Sequence, residues 1–164
     1  MSKTILWLDN DPRYIEPYVL AATDHGYKVK VVTSVSAAET LLREQQYSLV
    51  IIDAMIPTRS EEEENLYPPE ETDRGLKMGV MFYKRVKEVL DAKSTAVLVM
   101  TVRLDEAIHD EFKKAGLAEE SFATKLALRK ANSFLDKIDS LANRPISPNL
   151  IAHLPSTDRE ERKK

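Results

Sequence analysis

The sequence predicts an α/β domain built on a parallel sheet with helices on both faces. Short apolar segments rich in β-branched residues alternate with helical patterns along the chain. Three of those segments, residues 4–8, 48–52 and 95–100, are near-continuous apolar runs, as expected of strands covered on both sides. Connections between most elements are short, and right-handed crossovers between parallel strands place helices on both faces.

The elements follow in order. Residues 4–8 form the first strand. Asp11 then stands as a cap and Pro12 in the first turn, opening a helix that Gly26 closes. Residues 27–32 read as a second strand, and Ser36 with Glu39 as a capping box ahead of Leu41 and Leu42. Strands at 48–52 and 95–100 are followed by a helix over 104–115, with Lys113 and Lys114 in its last turn and Gly116 at its end. A weaker strand covers 121–124, and a last helix places Ala131, Phe134, Leu135, Ile138 and Leu141 on one face.

Two segments break the alternation. Residues 58–74 carry seven acids against two arginines, together with Pro68 and Pro69, and read as a solvated acidic insertion. Residues 143–164, with Pro145, Pro148 and Pro155, read as a loosely ordered tail that Ile146, Leu150, Ile151 and Leu154 can dock in part.

Composition narrows the function. At 164 residues, 43% hydrophobic and 31% charged, the chain suits one domain with a real core. A formal net charge of -3 offers no broad electrostatic footprint for nucleic acid or an anionic membrane. The absence of cysteine excludes a disulfide scaffold, a thiolate zinc site and a cysteine nucleophile, and fits a reducing compartment. The longest apolar run, 96–100, is far short of a membrane span, and no secretory leader is visible, so a cytoplasmic protein is expected. His25, His109 and His153 have no ligand spacing and read as surface or packing residues.

In a parallel sheet ligands gather beyond the carboxyl ends of the strands. Those ends carry Asp9, Asn10 and Asp11 after the first strand, and Asp53 followed by Ala54, Met55, Ile56 and Pro57 after the third. Thr101 ends the fourth strand, and Thr124 and Lys125 end the fifth. Carboxylates with an amide and backbone oxygens suit Mg²⁺, while a hydroxyl and an ammonium suit phosphoryl oxygens. The chemistry inferred is phosphoryl transfer, governed by positioning and charge neutralisation.

In these residues the sequence resembles the receiver domain of bacterial two-component response regulators. The segment 5–12 (ILWLDNDP) resembles the family's first strand and acidic pocket, and 49–57 (LVIIDAMIP) its phosphoacceptor strand. The segment 97–101 (VLVMT) resembles the strand with the switch hydroxyl, and 122–125 (FATK) the strand with the switch aromatic and the lysine. The resemblance implies a flavodoxin-like doubly wound (βα)5 fold with strand order 2-1-3-4-5. It covers a receiver domain at 1–142, with the acidic insertion inside it.

It further implies that Asp53 takes a phosphoryl group from a histidine kinase or phosphotransfer protein. Thr101 would hydrogen-bond that group and Lys125 would pair with it. Asp9, Asn10, Asp53 and the backbone carbonyl of Met55 would hold Mg²⁺. Thr101 and Phe122 would form the switch, read out by a downstream protein on the fourth helix, fifth strand and fifth helix, with a homodimer among the possible assemblies. The chain is then expected to be a stand-alone phosphoacceptor rather than an enzyme, acting through protein contacts and not on nucleic acid or membrane.

Three features depart from the family. Asn10 replaces the acid that usually touches the metal, which predicts weaker Mg²⁺ binding. Leu126 replaces the usual proline after Lys125, and because a non-proline cis bond costs about 3 kcal/mol, a trans bond is expected there. The acidic insertion begins directly after Pro57. Three alternatives stay open: a pseudo-receiver binding partners without phosphorylation, a haloacid-dehalogenase-type phosphatase with Asp9 as nucleophile and Asp11 as acid/base, and a flavodoxin-like flavin binder.

Overall fold

A computed structural model describes residues 3–54, 56, 65–66, 77–102 and 105–143. Met55, nearly all of the acidic insertion, Leu104, His153 and the tail expected beyond Asn143 lie outside the described residues.

Five strands, β1 (Thr4–Leu8), β2 (Lys28–Val32), β3 (Leu49–Ile52), β4 (Ala96–Thr101) and β5 (Phe122–Thr124), form one sheet in the order β2-β1-β3-β4-β5. All neighbouring pairs are parallel. The helices are α1 (Pro12–Asp24), α2 (Val35–Glu44), α3 (Met78–Ala92), α4 (Glu106–Lys114) and α5 (Ala131–Ala142). The flavodoxin-like topology and strand order are those expected.

Alternation along the strands divides the interior in two. Leu6, Leu8, Val50, Ile52 and Val99 pack with residues of α2, α3 and α4, such as Leu42, Phe82 and Phe112. Ile5, Trp7, Ile51, Leu98 and Met100 face the other way, onto Ile15 of α1 and Phe134 and Ile138 of α5. Because β1, β3 and β4 are covered on both sides, their residues are apolar apart from Thr4 and Thr101 at strand ends, which is why these strands read as near-continuous runs. Trp7 stacks on Phe134 at 5.6 Å, and its Nε1 finds no hydrogen-bond acceptor among the described residues.

Register fixes the site edge. Val32, Leu8, Ile52, Val99 and Phe122 form one row across the whole sheet. Asp9 and Asp53 lie one residue beyond that row, Thr101 two beyond it and Lys125 three beyond it, so the four rise in steps along one edge.

Several local expectations are revised. Helix α2 is capped by Ser34, whose Oγ accepts from Ala37 N at 3.3 Å, two residues before the expected Ser36 box. Glu39 is held instead by Arg43 at 3.0 Å and Arg85 at 2.6 Å. Burial pushes the Glu39 carboxyl up, but the two guanidiniums outweigh it and hold it below its ordinary value. Asp11 occupies the N-cap position of α1 without a side-chain capping bond. Helix α4 begins at Glu106, its cap being Asp105, whose Oδ1 accepts from Ala107 N at 2.9 Å.

Helix α3 has no counterpart among the helices read from the sequence. Its N-cap position is Lys77, which makes no capping side-chain bond, and its first turn holds no acid, so it lacks a start signal. Its helical spacing is nonetheless plain in the buried Phe82, Val86 and Leu90. At the opposite end of the sheet from the site, Lys93 directs Nζ onto three carbonyls at the end of α2: Leu42 at 2.7 Å, Arg43 at 3.0 Å and Gln45 at 3.0 Å.

Candidate functional site

Asp9 continues the sheet, its N–H donating to Val32 O at 3.1 Å. Its side chain is fully buried and both carboxylate oxygens are engaged. Oδ1 accepts from Asp11 N at 2.9 Å, an Asx turn that fixes the carboxylate plane, and Oδ2 accepts from Lys125 Nζ at 2.7 Å.

Asp53 is placed in the same way, its N–H donating to Leu8 O at 3.0 Å. It is 6% exposed, where Asp9 is fully buried. Oδ1 accepts from Thr101 Oγ1 at 3.1 Å, and Oδ2 lies 3.8 Å from Lys125 Nζ. The Lys125 ammonium thus serves two carboxylates and sits closer to Asp9.

Lys125 is fixed through its backbone as well. Its N–H donates to Thr101 O at 2.8 Å, and its carbonyl accepts from the Tyr18 hydroxyl at 2.8 Å. The Lys125–Leu126 bond is trans, as expected, and Leu126 is exposed.

Thr101, Lys125, Asp9 and Asp53 therefore meet at one edge. Asn10 is half-buried beside them, and Asp11 turns toward Arg13, with 3.5 Å between Oδ1 and Nε. The expected contribution of the Met55 carbonyl lies outside the described residues. Phe122 packs edge-on to His109 at 4.5 Å and to Phe112 at 5.8 Å. His109 is a packing residue that also meets Glu119 at 2.8 Å, and His25 pairs with Asp139 at 2.9 Å.

Two residues of the site region had no signal in the sequence. One is Tyr18. The other is Gly79, where a β-carbon would lie 2.6 Å from the carbonyl oxygen of Asp53 and 2.8 Å from Ala54 Cα. Gly79 N also donates to Ala54 O at 3.1 Å, so the start of α3 presses directly on the backbone that carries Asp53.

The residues that could hold a metal offer oxygen donors: two buried carboxylates and the side-chain amide of Asn10. Two carboxylates against one ammonium leave a surplus of one negative charge in a mostly dry edge, which suits a small hard cation. Among the described residues no group of three or more His, Cys, Asp or Glu side chains is placed to hold a metal ion.

No protein-family model matches the sequence, and no curated protein matches it. Many solved structures do match, and many of these are CheY-like response regulator receiver domains covering most of the chain. A putative response regulator from Chloroflexus aurantiacus is 19% identical with a TM-score of 0.66, the match covering 88% of this chain and 100% of that one. A CheY-like receiver domain protein from Methanospirillum hungatei is 14% identical with a TM-score of 0.65, covering 87% and 95%. The chemotaxis response regulator CheY4 of Vibrio cholerae is 16% identical with a TM-score of 0.63, covering 86% and 99%. At these identities the likeness is one of fold: the chain has the receiver-domain architecture.

Proposed function

We propose that the chain is a response regulator receiver that accepts a phosphoryl group on Asp53 from a histidine kinase or phosphotransfer protein. The observation that supports this most is the meeting of Asp53, Thr101, Lys125 and Asp9 at one sheet edge, each delivered by a different strand end. In the transfer the N–P bond of the donor phosphohistidine breaks and an O–P bond forms at the Asp53 carboxylate. Thr101 donates a hydrogen bond from where it already holds Asp53, and Lys125 supplies positive charge to the phosphoryl oxygens.

Asp9, Asn10 and Asp53 would hold Mg²⁺, with the Met55 carbonyl as a further ligand, and the ion would supply charge neutralisation at the phosphoryl group. With Asn10 in place of an acid, its affinity is lower than three carboxylates would give. Output then passes by protein contact through α4, β5 and α5, where Phe122 serves as the aromatic of the switch. Among the described residues no helix is long and apolar enough to cross a membrane.

The test is intact mass after incubation with acetyl phosphate, with and without Mg²⁺, for the unsubstituted chain, Asp53→Asn and Asp9→Asn. A single Mg²⁺-dependent adduct absent from Asp53→Asn is expected. An adduct kept by Asp53→Asn and lost by Asp9→Asn would move the nucleophile to β1.

A phosphorylation-independent interaction module is the second reading. It draws on Asn10 and on the closer pairing of Lys125 with Asp9 than with Asp53. No adduct at high Mg²⁺ would select it.

A further inference from the structure

The reach of the Lys125 ammonium depends on where its backbone is held, and that backbone leaves the sheet at its weakest point. Strand β5 is an edge strand of 3 residues, and Lys125 follows it into a turn. The next residue, Leu126, is 71% exposed and brings neither packing nor the fixed φ of a proline.

Two hydrogen bonds hold Lys125 there, one on each side of its Cα. The N–H donates to Thr101 O, an extension of the sheet. The carbonyl accepts from the Tyr18 hydroxyl, which comes from α1, 107 residues earlier in the chain. The Tyr18 ring is itself wedged against Phe134 of α5, edge-on at 5.2 Å, and against Trp7 of β1 at 6.3 Å. Its hydroxyl is therefore delivered by three elements that belong to the core rather than to the loop.

We propose that Tyr18 is a positioning residue for the phosphoacceptor site, acting through the Lys125 carbonyl to hold the ammonium between Asp9 and Asp53. The proposal rests on reading Lys125 as part of that site. Tyr18 fixes one end of a flexible four-carbon side chain, and Asp9 and Asp53 fix the other. Without the hydroxyl the 125–126 peptide is held only by the turn around it, where Leu128 N donates to Thr124 O and Ala127 N to Thr124 Oγ1, and the lysine loses the anchor that ties its carbonyl to the core.

The test is Tyr18→Phe, which removes the hydroxyl and keeps the ring in place. Two readouts are used. In amide hydrogen exchange, the Lys125 N–H is expected to exchange about fivefold faster relative to the amides of β5, the equivalent of one ordinary hydrogen bond. In phosphorylation by acetyl phosphate, the rate is expected to fall about fivefold, and Tyr18→Phe is expected to add nothing in a Lys125→Met background.

An unchanged exchange ratio overturns the proposal. So does the same rate loss in both backgrounds, because a merely structural effect does not depend on Lys125. Faster Lys125 exchange in Tyr18→Phe, with no adduct even on the unsubstituted chain, would overturn the phosphoacceptor reading instead and leave the Tyr18–Lys125 link standing.

Discussion

Lys125 and Asp9 form a buried ion pair, 2.7 Å from Nζ to Oδ2, with the Asp9 side chain fully enclosed and the Lys125 side chain 11% exposed. A charge in such a place is tolerated only while its partner is present. Lys125→Met is therefore expected to destabilise the fold by about 3 kcal/mol, since it strands the Asp9 carboxylate. Asp9→Asn combined with Lys125→Met should cost less than the sum of the two single changes. Urea unfolding of the four proteins measures both; strict additivity would mean that the pair is not coupled.

Gly79 sets how closely α3 approaches the backbone of Asp53. The atoms that a β-carbon would strike are backbone atoms of Asp53 and Ala54, which cannot rotate out of the way. Gly79→Ala is expected to cost about 1–3 kcal/mol, the range of an overpacked interior, and to displace amide resonances of 52–54 more than those of β5. A neutral substitution would show that α3 retreats without consequence.

Acid stability should report Asp139 on α5. Burial raises its carboxyl, but hydrogen bonds from Tyr27 and His25 outweigh that and hold it below the ordinary value. A depressed carboxylate contributes stability above its unfolded pKa and loses it as pH falls through the folded value. Tm measured from neutral pH downward should therefore fall less steeply for Asp139→Asn than for the unsubstituted chain below the ordinary carboxylate range. Parallel curves would exclude the contribution.

Lys93 spans from the end of α3 to the end of α2 and satisfies carbonyls that a helix end leaves without intrahelical partners. Lys93→Met keeps the stem and removes the ammonium, and is expected to cost about 1–2 kcal/mol in chemical denaturation. The loss should persist at high salt, because three short directed hydrogen bonds carry it rather than long-range attraction.

The parts of this fold legible in the sequence are those where one physical rule dominates. Strands β1, β3 and β4 are buried on both faces, so apolar residues fill all but their ends and the runs stand out. Gly26 and Gly116 adopt φ of 107° and 108° at helix ends, a conformation that favours glycine, and mark those ends in the sequence too. Asp9, Asp53, Thr101 and Lys125 were placed by counting past the strands, which works because parallel register carries the count across the sheet.

What escaped the sequence depends on distant contact. Ser34 and Ser36 are equally plausible caps in one dimension, and the backbone of α2 selects Ser34. Helix α3 follows the acidic insertion without a cap, so nothing local marks its start. Tyr18 and Gly79 matter through partners 107 residues away and across a helix–strand contact, and neither residue type announces such a role.

Trp7 has a practical consequence for all of these experiments. It is the chain's one tryptophan, and its indole lies fully enclosed against Phe134 with no acceptor for its N–H among the described residues. An excited indole with no polar neighbour to relax toward emits at short wavelength, and water shifts that emission to the red. Trp7 also lies two residues before Asp9, on the strand that leads into it, and touches the ring of Tyr18. The protein thus carries its own optical probe, needing no label, at the junction of the sheet, the α1–α5 layer and the carboxylate edge.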